Sequence, residues 1–200
     1  MSPRTKEQNE QIRQARIGQI RRAAADVYLA RGMAFEIKDV AAWAEIGYGT
    51  VYHYYSNKYS LFRDMLERSI EAARELTERT LAEKLPPWER LQLLAGRLLR
   101  LWSADRSVFI LYKMASEQFR ELPQDAAGPL AMRFENALYR PVADALGECA
   151  GDAAEETANV LFGALIGSAG LWLYRFRTDL DAERIAGLLF EGIRPGDRDR

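Results

Sequence analysis

The chain has 200 residues, 48% of them hydrophobic and 28% charged, which excludes a disordered polymer and allows one or two domains with a real core. The net charge of −1 hides an asymmetry: residues 1–63 carry ten Lys/Arg against six Asp/Glu, and residues 64–200 carry eighteen against twenty-three. A basic N-terminal third suits a polyanionic partner, while the single Cys149 excludes an intramolecular disulfide and suits a reducing cytoplasm.

The start, MSPRTKEQNEQ, is polar and lacks the apolar core of a secretory signal. Arg4, Lys6, Arg13 and Arg16 read either as an arm for phosphates or the minor groove, or as a solvated tail. Ile17, Ile20, Ala24, Val27 and Tyr28 recur at three- and four-residue steps, so helix 1 covers them and stops at Gly32. Ile37, Val40, Ala41 and Ala44 mark helix 2, and helix 3 follows from Gly47 to Tyr55. Asn57 is placed to cap helix 4, which runs through Leu61, Phe62, Met65, Leu66 and Ile70 until Pro86 and Pro87 end it. Trp88 to Trp102 forms helix 5, and Ser107 to Phe119 helix 6. Glu121 to Pro129 reads as a loop. Helix 7 spans Leu130 to Cys149 with a kink at Pro141. Helix 8 covers Ala153 to Arg175, and helix 9 covers Asp181 to Ile193, closed by Pro195 and Gly196 before a solvated GDRDR tail. Strand-type alternation is nearly missing, so the fold class is all-α with about nine helices.

Within helix 8, Thr157 to Tyr174 is eighteen residues without a charge and contains Gly163 and Gly167 in a GxxxG spacing. That length meets the lower limit of a membrane span. Thr157, Asn159, Ser168 and three glycines fit a buried interface helix better, so no membrane is expected.

Helices 2 and 3 have the layout of a helix-turn-helix, with Ala41, Ala42 and Ala44 small enough for a close crossing. Helix 3 offers Tyr48, Gly49, Thr50, Tyr52, His53 and Tyr54. Gly49 lets backbone approach phosphate or base, Thr50 has a donor and a methyl group, and Tyr52 and Tyr54 have phenolic donors. Lys58 adds charge at the start of helix 4, beside amides that favour an anion. One histidine and no nearby cysteine leave no metal site, and no catalytic set or cofactor motif stands out.

The run from Gly32 to Phe62, with Ile37, Val40, Ala41, Ala44, Ile46, Gly49, Thr50, Tyr52, His53, Tyr54, Lys58 and Leu61 between, resembles the DNA-binding domain of the TetR (tetracycline repressor-like) family. The resemblance implies an N-terminal three-helix DNA-binding domain at 13–73, with the helix-turn-helix at 36–55, and a helical effector-binding and dimerisation domain at 74–195. It implies that Lys38 touches DNA, that Tyr48, Gly49 and Tyr52 face bases, and that Thr50, His53, Tyr54 and Lys58 hold phosphates. Gly47 caps helix 3 where the family often has Ser or Thr. Glu45 stands where the family usually has Gly, at a cost of about 1 kcal/mol if left-handed. Glu36 replaces a frequent Thr, and the loop after Gly32 is one residue short.

Beyond residue 75 the resemblance is one of helical layout. It implies that helices 8 and 9 pair with their mates, with Leu161, Gly163, Leu165, Gly167, Trp172, Leu188 and Leu189 at the dimer interface. Trp102, Phe109, Tyr112, Phe134, Leu138, Tyr139 and Phe162 are candidates to line an effector cavity between helices 4 and 8, with Met114, Phe119 and Met132 beside them; ordinary core packing is the other reading of this stripe. The expected function is a dimeric, cytoplasmic, non-enzymatic regulator that binds palindromic operator DNA and is released by a small apolar or aromatic effector. The alternatives are a ligand-independent regulator or activator, and a membrane-associated or protein-binding helical module without DNA function.

Overall fold

The computed structural model describes residues 5–176 and 180–193. Arg4, Pro195, Gly196 and the GDRDR tail lie outside the described residues. The described residues contain helices and turns without strands, as the all-α expectation holds. The chain divides into two compact units, residues 1–65 and 66–200. The sequence-based boundary at 73/74 lies further along the same helix.

In the N-terminal unit, α1 spans Lys6–Arg31. This corrects the reading of Lys6, Arg13 and Arg16 as a tail ahead of the helix. Thr5 starts it: its hydroxyl accepts from the Gln8 N–H at 3.2 Å, and the Gln8 side chain accepts from the Thr5 N–H at 3.1 Å. This reciprocal box satisfies two N–H groups that a helix start leaves orphaned. Glu10 then pairs with Arg13 at 3.1 Å and with Gln14 at 2.7 Å on an exposed face. Packing begins only at Ile17, and α1 ends where Gly32 turns to φ 60°.

A short 3₁₀ turn, Gly32–Ala34, leads to α2, Ile37–Trp43. The Asp39 carboxylate accepts from the Glu36 N–H at 2.8 Å, so the start of α2 is satisfied without a Thr. Glu45 is left-handed at φ 53°, and the Ile46 N–H reaches back to the Ala41 carbonyl at 3.0 Å. The turn therefore carries the expected strain, about 1 kcal/mol. α3 is Tyr48–Tyr54, and α4, Lys58–Leu81, follows Asn57, whose side chain accepts from the Ser60 N–H at 2.9 Å. Ile20, Ala24, Phe35, Val40, Val51, Leu61 and Phe62 are wholly buried. The Phe62 ring lies 5.1 Å from Tyr28 and 5.5 Å from Phe35. Phe62→Ala removes the centre of this cluster, a loss of about 3–5 kcal/mol.

The C-terminal unit comprises the remainder of α4, α5 (Pro87–Ala104), α6 (Arg106–Ser116), α7 (Gln124–Phe134), α8 (Arg140–Ala150), α9 (Ala154–Leu171) and α10 (Ala182–Ile193). The central α5 packs on α6, α8, α9 and α10 through Leu91, Leu94, Leu98 and Trp102. Two sequence expectations change. The segment read as a loop over 121–129 is helical from Gln124, because Pro123 has the extended backbone that precedes a helix and Gly128–Pro129 is absorbed inside α7. Helix 6 stops at Ser116 rather than Phe119. Gln118 and Phe119 are left-handed at φ 56° and 51°, which turns the chain while the Phe119 ring stays buried.

α7 and α8 form one continuous rod through a π-turn at Glu135–Tyr139. The cause is Pro141, which has no N–H to give to the turn behind it. The Arg140 N–H bonds the Glu135 carbonyl, five residues back, so the expected kink is taken up as a widened turn.

Candidate functional site

The N-terminal unit presents α3 on its surface. Val51 and Tyr55 anchor it, being wholly and nearly buried, while Tyr48 is 52% and Tyr52 44% exposed. One helical turn apart, their rings pair at 4.6 Å between centroids, so two phenols stand side by side on the outer face. Thr50 and His53 are exposed too, and Tyr54 is half-buried with its ring 5.2 Å from His53. A Cβ at Gly49 would meet no neighbour, so the backbone there is open. Gly47 starts α3 without a side-chain cap; its carbonyl takes the Thr50 N–H at 2.9 Å. Lys38 is exposed on α2 and pairs with Glu36 at 2.9 Å; that hydrogen bond raises the Lys38 pKa. Thus Lys38 on α2 and Gly47, Tyr48, Gly49, Thr50, Tyr52 and His53 at α3 are each exposed to solvent. Trp43, at the end of α2 and 57% exposed, was not singled out from the sequence.

On its inner side, α3 is clamped. The Tyr55 hydroxyl donates to Asp64 Oδ2, and Arg21 Nε donates to the same oxygen at 2.7 Å. Burial first, then the Asp64 carboxylate, pushes the Tyr55 phenol far above its ordinary range. The Gln19 side chain donates to the Ala44 carbonyl at 2.7 Å and fixes the turn to α1.

Lys58 stands differently from its sequence reading. Its ammonium donates to the carbonyls of Met33 at 2.6 Å and Phe35 at 3.3 Å. It also lies 5.7 Å from the Phe35 ring and 5.4 Å from the Tyr59 ring. It therefore brackets the loop before α2 to the start of α4, and its charge is engaged by the protein itself.

In the C-terminal unit, a cleft of about 670 Å³ opens between α6, α7, the π-turn and α9. Tyr112, Phe134, Tyr139 and Phe162 line it as candidates, with Phe119 and Met132. Trp102, Phe109 and Leu138 do not: they are wholly or almost wholly buried in the core, as is Met114. The lining comes from α6 to α9 rather than from α4. The rings form a connected wall, Tyr112 lying 5.1 Å from Phe134 and 5.7 Å from Phe162, and Tyr139 stacking on Phe162 at 5.8 Å. Glu135, Glu155 and Asn159, all missed from the sequence, stand at the rim, and Tyr139 donates to Asn159 at 2.9 Å. Met132 and Phe134 flank Arg133, which grips α4 through Glu71 at 2.7 Å and Glu67 at 3.9 Å.

Of the interface candidates, Gly163, Gly167 and Leu188 are exposed, and Trp172 and Leu189 half-buried. Leu161 and Leu165 are instead buried within their own unit, on the inner face of α9. Val160 and Leu171, at 50% and 54% exposure, take their place on the outer face. The helical run from Gln124 to Tyr174 includes a window long and apolar enough to cross a membrane, of which 28% is buried inside the chain.

Residues 20–65 match the family model for bacterial regulatory proteins of the tetR family. That span contains α2, the strained turn, α3 and the Lys58 bracket. The N-terminal unit is a TetR-family DNA-binding domain. Solved structures with the same overall fold include a TetR-family transcriptional regulator from Bordetella parapertussis, 21% identical over 90% of this chain and 95% of that one, with a TM-score of 0.76. A TetR-like regulator from a Rhodococcus species is 25% identical over 96% of both chains, with a TM-score of 0.69. The transcriptional regulator FadR from Bacillus subtilis, solved in complex with stearoyl-CoA, is 18% identical over 89% of this chain and 97% of that one, with a TM-score of 0.68. No curated protein sequence matches the chain. In the TetR-type unit, the matched segment starts at Ile20, leaving the exposed first turns of α1 outside it.

Proposed function

We propose that this TetR-family protein is a homodimeric, cytoplasmic transcriptional repressor that releases palindromic operator DNA when a small molecule fills the cleft of its C-terminal unit. The observation that carries the reading is the exposed Tyr48–Tyr52 pair beside the open backbone of Gly49, inside the segment that matches the family. An exposed aromatic pair on a short helix has no packing role, while phenols and bare backbone suit bases and phosphates.

One helix-turn-helix reads one half-site and binds weakly, so two copies are needed. The occupant we assign to the outer face of α9 and α10 is a second copy of this chain. Val160, Leu171 and Leu188 supply exposed apolar area, and a Cβ at Gly163 or Gly167 would meet no neighbour, leaving room for an approaching helix. The cleft has the volume of a drug-sized ligand site, and the fold is that of a regulator solved with stearoyl-CoA. An effector that displaces α7 acts on α4 through Arg133 and so changes the spacing of the two recognition helices. Switching requires a differential affinity of several kcal/mol between the two states, about 5 for a near-complete switch.

The test is fluorescence anisotropy with the DNA flanking the gene. The wild-type chain binds it in a salt-dependent manner, and Tyr48→Ala/Tyr52→Ala binds about a hundredfold more weakly with an unchanged melting curve. Equal affinities for the two proteins sink the assignment of α3 as the reading element.

A further inference from the structure

We infer that the cleft is built for a cationic aromatic or amphipathic molecule, and that it discriminates against anionic ligands such as fatty acids and acyl thioesters of nucleotide carriers. The inference rests on the reading of this cleft as the effector site. Three observations carry it.

First, the charges that line the cleft are of one sign. Glu135 and Glu155 are present, and among the described lining residues there is no Lys, Arg or His. Arg140 reaches Glu135 from outside at 3.4 Å, with both side chains substantially exposed, which leaves Glu135 weakly compensated. An anion entering here finds no cation among the lining residues and meets two carboxylates. Second, the wall behind the carboxylates is aromatic. Tyr112, Phe119, Phe134, Tyr139 and Phe162 line it, and each ring lies within 6.4 Å of another. Ring faces attract cations, most strongly where water is excluded. Third, the Tyr112 side chain lines the cleft while the residue is 1% exposed, and no hydrogen bond is made to its hydroxyl among the described residues. Burial alone raises its phenol, with no partner to share the load. The hydroxyl is not among the buried polar atoms left without a partner, so it keeps an accessible edge that a ligand polar atom can meet. The Tyr139 phenol, at the rim, is raised by burial and then by Glu155 and Glu135, as a locally negative field requires.

The ligand is therefore a flat or elongated apolar body bearing an ammonium, guanidinium or delocalised cationic group. Its charge lies between Glu135 and Glu155, its rings lie on the aromatic wall, and a donor or acceptor meets Tyr112.

The test uses the full-length chain and two dyes sharing one ring system, cationic rhodamine 6G and anionic fluorescein, with oleate as an anionic chain. Binding is read by fluorescence polarisation, and by displacement for oleate. We expect rhodamine 6G to bind about tenfold or more tightly than fluorescein or oleate. Glu135→Gln/Glu155→Gln should lose about tenfold for the cation and nothing for the anions, with an unchanged melting curve, and Tyr112→Phe should weaken the cation alone. Fluorescein or oleate binding as tightly as the cation overturns the charge assignment, and so does unchanged cation affinity in the double Gln variant. In either case the effector reading of the cleft stands if the bound molecule releases operator DNA. Tight, Glu-dependent cation binding that leaves operator affinity intact, against a control of dye with DNA alone, confirms the charge assignment and overturns the effector reading. Failure of all three probes to bind overturns both.

Discussion

Lys58→Met separates two roles that a lysine at the start of α4 can have. Methionine keeps much of the apolar stem and removes the ammonium. In the structure that ammonium supplies two hydrogen bonds, 2.6 Å to Met33 O and 3.3 Å to Phe35 O, and faces two rings at 5.7 and 5.4 Å. A hydrogen bond from a charged donor contributes about 1.5–3 kcal/mol. The 3.3 Å bond is long and the side chain is only half-buried, so we assign about 2 kcal/mol to the whole bracket. For a cooperative chain of this size, that lowers the melting temperature by roughly 4–8 °C. The bracket also positions the loop before α2, so operator affinity falls, but the number of phosphates neutralised does not change. The slope of log affinity against log salt therefore stays constant. A phosphate contact behaves oppositely: its loss leaves the melt alone and reduces the slope by about 0.9. Scanning calorimetry and anisotropy titrations at several salt concentrations decide the matter. An unchanged melt with a shallower slope refutes the bracket and restores Lys58 as a DNA contact.

Glu45→Gly should stabilise the N-terminal unit by about 1 kcal/mol, read as a higher denaturant midpoint, because Gly relieves φ 53°; a lower midpoint means the Glu45 side chain contributes more than its backbone costs. Asp39 titrates below its ordinary value because the Glu36 N–H and then Arg31 favour the carboxylate. Its contribution to the start of α2 is fully present above the ordinary aspartate pKa and is lost as pH falls through the lowered one, so Asp39→Asn should flatten that part of the acid melting profile. An identical profile in the variant removes Asp39 from the account. Leu188→Asp should convert the proposed dimer to monomer in sedimentation while leaving helix content intact; a dimer that persists places the interface elsewhere.

The helix-turn-helix was legible because its signals are local. The turn at Glu45, the buried Ala41 and Ala44 and the cap at Asn57 each act within a few residues, and each sits where the sequence places it, whereas Ala42 faces solvent rather than the crossing. Part of what was missed was also local. Thr5 and Gln8 form a capping box, but no apolar run follows for ten residues, so the helical start at Lys6 lacked the periodicity that marks a helix. Pro129 inside α7 looked like a stop, yet it is the sixth residue of the helix, which continues past it with one i→i−4 hydrogen bond missing. The remaining misses are long-range. Lys58 meets carbonyls 25 and 23 residues away, and Glu135 and Glu155 meet one cleft from two helices. Amphipathic periodicity placed Leu161 and Leu165 on an apolar helix, but a helix apolar on all sides does not declare which face turns inward.

One oxygen atom, Asp64 Oδ2, receives both Arg21 from α1 and the Tyr55 hydroxyl at the end of α3, while its own backbone belongs to α4. Tilting α3 by itself breaks that junction, so the reading head behaves as a solid block. In the dimer proposed above, effector control would then work by geometry between two blocks rather than by wear on either one. A DNA fragment carrying a single half-site, presented to a single block, should be held equally well with and without effector, and only the paired sites should feel the difference in their separation.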